Sequence, residues 1–104
     1  MVKVINANLG VQVETAIAVF GTPTRVGILK FLLDEGPSQM GSITKGVGLT
    51  RATVVKAILA LEELGAITAD IPLERRAGKR VLYRAHVELI ENLLGALKSA
   101  LTTD

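Results

Sequence analysis

The sequence predicts a single α+β domain, mostly helical, spanning residues 1–104, with a two-stranded hairpin placed just before its last helix. Three observations carry this expectation. Aliphatic residues recur at helical spacing along most of the chain and switch to alternation only after Gly65. Glycines and capping residues fall between the periodic stretches, where helices must stop and start. Hydrophobic residues make up 49% of the chain and mean hydropathy is +0.44, an aliphatic excess that a domain this small closes best against a second copy of itself.

The elements follow in order. Residues 1–10 show no clear period, and Glu14–Phe20 is a short apolar helix stopped at Gly21. Thr22 then caps a helix with Pro23 at its first position, where a missing N–H costs nothing. Val26, Leu29, Phe31, Leu32 and Leu33 are expected to form its buried face, and Gly36-Pro37 to end it. The stretch "SITKGVGLTRATVVKAILALEELGAI" reads as helix, turn, helix over about 42–65. Ser42 is expected to cap the first helix, which carries Ile43 and Val47, and Gly46 and Gly48 give the connection its freedom. Thr50 caps the second helix, whose Val54, Ile58, Leu61 and Leu64 keep the four-and-three spacing of a core-facing stripe. Its opposite face shows Arg51, Thr53, Val55 and Lys56, so a basic, hydroxyl-bearing front stands on an apolar back. That arrangement suits a DNA major groove.

Beyond Gly65, "AITADIPLE" and "RVLYRA" alternate and are read as two antiparallel strands joined across Arg75 to Lys79, with Gly78 at positive φ. This hairpin, about 66–85, is a wing. The final segment, about 86–102, repeats Val87, Ile90, Leu94, Leu97 and Leu101 at heptad-like steps, with Leu89, Leu93, Ala96 and Ala100 beside them. One stripe can cover the domain while the other meets a partner helix. His86 stands at the start of this helix as a capping or surface residue.

Charge is distributed unevenly. The chain carries twelve Lys and Arg against ten Asp and Glu, yet between Gly36 and Leu61 there are three bases (Lys45, Arg51, Lys56) and no acid. Between Ile71 and Val87 five bases stand against Glu74 alone. The remainder is acidic. Two basic patches on an acidic body form an electrostatic footprint for a polyanion.

In the same order along residues 15–100, "GTPTRVGILKFLL", "GLTRATVVKAILALEELGAI" and "RRAGKRVLYR" resemble the opening helix, the turn with recognition helix, and the wing of ArsR-type winged helix-turn-helix regulators. The resemblance implies a homodimer bound to double-stranded DNA that regulates transcription as a repressor. It places DNA contacts at Thr50, Arg51, Thr53 and Lys56 and wing contacts at Arg75, Arg76, Lys79 and Arg80, and Ser42, Lys45 and Val55 are expected to bind DNA with them. It also implies N- and C-terminal dimerisation helices, their interface at Ile17, Phe20, Ile90, Leu94, Leu97 and Leu101. The chain departs from metal-sensing members: it has no cysteine and one histidine, so no metal site and no cofactor are expected. A protein-interaction winged helix and a small-molecule-responsive regulator are the alternative functions.

Catalytic readings fail on chemistry. "GPSQMGSITK" has serine where a P-loop needs lysine, and "GVGLTRA" misses the dinucleotide fingerprint by one position and lacks a preceding strand. A single histidine with no neighbouring nucleophile and orienter makes no acid–base set, so no enzyme is expected. No apolar run reaches the roughly 18 residues of a membrane span, and the N-terminus lacks a signal-peptide pattern. A cytoplasmic location without membrane contact is expected.

Overall fold

The computed structural model describes residues 9–102. In chain order the elements are α1 (Val11–Phe20), α2 (Pro23–Glu35), β1 (Ser38–Gln39), α3 (Met40–Val47), α4 (Arg51–Glu63), β2 (Ile67–Ala69), β3 (Leu82–Ala85) and α5 (Val87–Leu101), with one 3₁₀ turn at Leu73–Arg75. The two ends of the 1–104 domain, including most of the aperiodic first ten residues, lie outside the described residues.

A single aliphatic core explains why these elements meet. Val19 of α1, Ile28 of α2, Ile43 of α3, Val54, Ile58 and Leu61 of α4, Ile67 of β2 and Leu93 of α5 are the largest wholly buried side chains. Each such burial contributes about 1.5–3 kcal/mol against an exposed state. No charged or polar residue is buried among the described residues, so the core is held by packing alone.

Capping chemistry sets the helix boundaries much as the sequence suggests. The Arg25 amide donates to Thr22 Oγ1 at 3.2 Å and the Thr53 amide to Thr50 Oγ1 at 3.3 Å. Gly48, at φ 71°, ends α3 in the left-handed conformation, and its amide closes the last turn on the Thr44 carbonyl at 3.1 Å. His86 is the cap of α5: its Nδ1 accepts from the Leu89 amide at 3.0 Å, which leaves the proton on Nε2.

Other boundaries move. α1 starts at Val11 rather than Glu14. Ser42 is not a cap. α3 begins two residues earlier, at Met40, because Gln39 is already paired to β3 and the chain passes straight from strand to helix. That strand, β1, leaves no trace in the sequence, so the sheet has three strands in the order β1-β3-β2, all antiparallel, instead of two. Two residues are too short for any periodic signal. In α2 the buried face is Ile28, Leu29 and Leu32, while Val26 and Leu33 are exposed. At 100° per residue, Val26 and Leu33 fall about a quarter turn to one side of that face.

The wing strands are shorter than expected. β2 ends at Ala69, and Pro72, with no N–H to donate, leads into the 3₁₀ turn. The hairpin is closed instead by a side chain: the Asp70 amide donates to the Leu82 carbonyl at 3.1 Å and the Leu82 amide to Asp70 Oδ1 at 2.9 Å. Gly78 does take positive φ, 71°.

The terminal helices pack on one another, and α1 meets α2 at 86°. The proposed α5 seam is divided by this packing. Ile90 is 5% exposed and belongs to the core with Leu93, and Leu97 lies half-buried against it. Ile90 therefore serves the core of its own domain, because α5 turns that side inward to cover it. Leu94 (50% exposed) and Leu101 remain on the outside with Val87, and Ile17 is exposed on α1, whereas Phe20 is half-buried on the core.

One close approach is testable. A Cβ on Gly46 would collide with the Phe31 ring, whereas one on Gly27, inside α2, would meet nothing within 4 Å. Gly46→Ala should cost about 1–3 kcal/mol in chemical denaturation through overpacking, while Gly27→Ala should add up to about 1 kcal/mol from helix propensity.

Candidate nucleic-acid interface

The two basic segments meet because α4 packs on β2, and β2 pairs with β3 to form the base of the wing. Burial of Val54, Ile58 and Leu61 leaves Thr53 and Lys56 off the core side of α4, Arg51 stands at its first residue, and all three are exposed. Between the front of α4 and the wing lies an open groove of about 480 Å³. Arg51, Val55 and Leu59 line it from α4, Arg76, Lys79 and Arg80 from the wing, and Tyr83 from β3. Val55 is half-buried on this floor, and Leu59 is 40% exposed, so the groove is apolar at its base and cationic at its rim.

Thr53 and Lys56 face another way. They border a second recess, about 370 Å³, with Thr22, Thr24 and Arg25 from the start of α2. The recognition helix thus presents two flanks, one to the wing and one to the α2 N-terminus. Arg25 is partly committed to the fold, since its Nη1 donates to the Ala18 carbonyl at 2.6 Å. Ser42 and Lys45 are exposed on α3, and Arg75 is exposed at the end of the 3₁₀ turn; none of the three lines either recess. Thr50 is occupied as the cap, and its hydroxyl also donates to Thr53 Oγ1 at 2.9 Å.

Arg76 does not project its side chain into solvent with the other wing cations but turns it back onto α4. Its side chain is 11% exposed and makes a bidentate ion pair with Glu62 of α4: Nη1 donates to Oε1 at 3.0 Å and Nη2 to Oε2. Nε donates to the Ile71 carbonyl at 2.7 Å, and Cζ lies 5.7 Å from the centroid of the Tyr83 ring. Sequence charge alone could not separate Arg76 from its neighbours, because the distinguishing partner lies fourteen residues upstream. Gln39, Leu73 and Tyr83 in the groove, and Thr22, Thr24 and Arg25 in the recess, join the site without being expected there. Their placement depends on tertiary packing, and only the run "TPTR" hinted at polar groups there.

Hydrogen bonding to Glu62 raises the pKa of Arg76 above its ordinary value. Burial raises that of Tyr83, and the Arg76 charge partly opposes this. Among the described residues no three His, Asp or Glu side chains come together as a metal site, and no single helix is long and apolar enough to cross a membrane.

A helix-turn-helix followed by an antiparallel wing and framed by terminal helices is a winged helix. Solved structures share it. An ArsR family transcriptional regulator superposes with a TM-score of 0.66 at 20% identity, over 86% of this chain and 87% of that one. A possible transcriptional regulatory protein from Mycobacterium bovis, solved as fragment 1-100, gives 0.64 at 26% identity over 91% and 96%. BpsR of Bordetella bronchiseptica, whose DNA binding is regulated by 6-hydroxynicotinic acid, gives 0.59 at 17% identity over 88% and 76%. No family model and no curated protein matches the chain by sequence. The fold is that of ArsR-type winged-helix regulators, as the sequence resemblance implied.

Tyr83 is the only tyrosine and the chain has no tryptophan, so tyrosinate absorbance reports this residue alone. Its folded pKa is raised, so the stability it contributes is complete below the ordinary tyrosine value of about 10 and is lost as pH rises through the folded value. Alkaline titration should show its midpoint above that of the unfolded chain in denaturant; equal midpoints would contradict its burial.

Proposed function

We propose that this protein is a dimeric, sequence-specific double-stranded DNA-binding transcriptional regulator that represses by occupying its operator in the cytoplasm. The supporting observation is the groove that brings Arg51 of the recognition helix beside Lys79 and Arg80 of the wing. Arg51 stands in the first turn of α4, the part of a recognition helix that reaches base edges, and its planar fork suits guanine O6 and N7. Val55, one turn on, offers a methyl-rich surface to thymine. Lys79, Arg80 and Arg75 on the hairpin tip suit phosphates or a narrow minor groove.

Twofold assembly is part of the same reading. The exposed Leu94, Leu101, Val87 and Ile17 offer apolar surface on α1 and α5, and covering it with a second copy would present two recognition helices to one duplex. The chain has no cysteine and one histidine, which argues against metal sensing, and zinc, cadmium or arsenite is expected not to release it from DNA.

Salt titration on specific and random duplexes tests the docking. Arg51→Ala should cost about 1–3 kcal/mol at particular base pairs and relax preference there. Neutralising Lys79 and Arg80 should weaken all sequences alike and lower the salt slope by about one for each phosphate no longer neutralised. If the wing variant keeps its slope and the Arg51 variant its preference, the docking is wrong.

Assembly is tested by sedimentation. Leu94→Glu, on the exposed side of α5, should yield folded monomer with weakened operator binding. An unchanged dimer would place the interface elsewhere.

A further inference from the structure

Loop 71–81 carries the wing cations and has no regular structure beyond the 3₁₀ turn. Its internal bonds are local: the Arg75 amide to the Pro72 carbonyl at 2.9 Å, Arg76 to Leu73 at 3.4 Å, and Lys79 to Arg76 at 2.9 Å. They shape the tip without fixing where it lies. Ile71 and Val81 pack on the core and hold only the base of the loop. The tip itself is tied to α4 through the Arg76 guanidinium, which joins four parts of the molecule: Glu62 in the last turn of α4, the Ile71 carbonyl on the ascending limb, its own place at the tip, and the Tyr83 ring on β3.

We propose that Arg76 and Glu62 form a clamp that fixes the wing against the recognition helix, making Arg76 a positioning residue that holds Lys79 and Arg80 in place for DNA and does not itself meet DNA. The proposal rests on the DNA-binding reading for its consequence and on the ion-pair geometry for its existence. A planar fork held at three of its donors, with side-chain exposure of 11%, leaves a phosphate little to bind. The clamp orders the loop before DNA arrives, so that binding is spared the ordering cost.

The sign of one substitution separates the clamp from simple electrostatics. Glu62→Gln removes an acid beside a cationic groove, and charge alone would strengthen binding to a polyanion. With a clamp, the same change frees the wing and weakens specific binding, by roughly tenfold for the loss of one charge-assisted pair. Arg76→Ala then acts in the same direction. Were Arg76 a phosphate contact, the two variants would move affinity in opposite directions.

A second measurement works without DNA. Arg75, Arg76, Lys79 and Arg80 are all trypsin sites on the wing, and Glu62→Gln leaves each of them intact. Limited trypsin digestion should nick the wing of Glu62→Gln roughly tenfold faster than wild type at equal global stability. Arg76→Lys, which keeps both the charge and the cleavage site but loses the fork, should behave likewise and serves if Glu62→Gln fails to fold. Tighter or unchanged DNA binding by folded Glu62→Gln or Arg76→Lys overturns the positioning role, and wild-type rates of wing nicking overturn the clamp. Wild-type protein that binds no duplex DNA would defeat the DNA-binding reading and with it the role of the clamp on DNA, while digestion still decides whether the clamp exists.

Discussion

The apolar back of α4 is the constraint on which the rest of the molecule depends. Val54, Ala57, Ile58 and Leu61 must face the core, and at 100° per residue this turns Lys56 outward and Thr53 to the side, while Arg51 is exposed at the helix's first turn. The same stripe receives Ile28 from α2 and Ile43 from α3, which fixes the helix-turn-helix angle, and Ile67 from β2, which brings the sheet alongside. Chemistry at the surface is thus set by packing at the back.

The sheet extends this constraint to the wing. β3 is its central strand, paired through Tyr83 and Leu82 to the entry of α3 and through Ala85, Arg84 and Tyr83 to the exit of α4. The helix-turn-helix and the wing therefore share a strand. Tyr83 is at once a sheet residue, a lining residue of the groove and the ring beneath Arg76, so one side chain senses both sides of the site.

Much of the fold was legible because long amphipathic helices leave strong periodic traces. The caps at Thr22, Thr50 and His86, the stripe on α4 and the left-handed Gly78 follow from local chemistry, and all are present. What stayed hidden was non-local. β1 is two residues long and exists only because β3 offers it a partner. Ile90 shares its spacing with Leu94 and Leu101, and only the packing of α5 on its own domain shows that it turns inward. Arg76 is the sharpest case: in sequence it is one of four equivalent wing cations, and a carboxylate on another element sets it apart. The exposure of Val26 and Leu33 has a different origin, since a helix with so many aliphatic residues offers more than one plausible face.

The Asp70–Leu82 closure has a consequence for how such a chain can change over generations. It seals the two strands at their open end, so the residues beyond it are a segment whose length is uncoupled from sheet register. Adding or removing residues there changes loop-closure entropy only slowly with length and disturbs no buried strand pair. Natural variants could therefore lengthen or trim this segment to reach a wider or narrower stretch of duplex while the scaffold beneath stays fixed, and footprint size would drift independently of thermal stability.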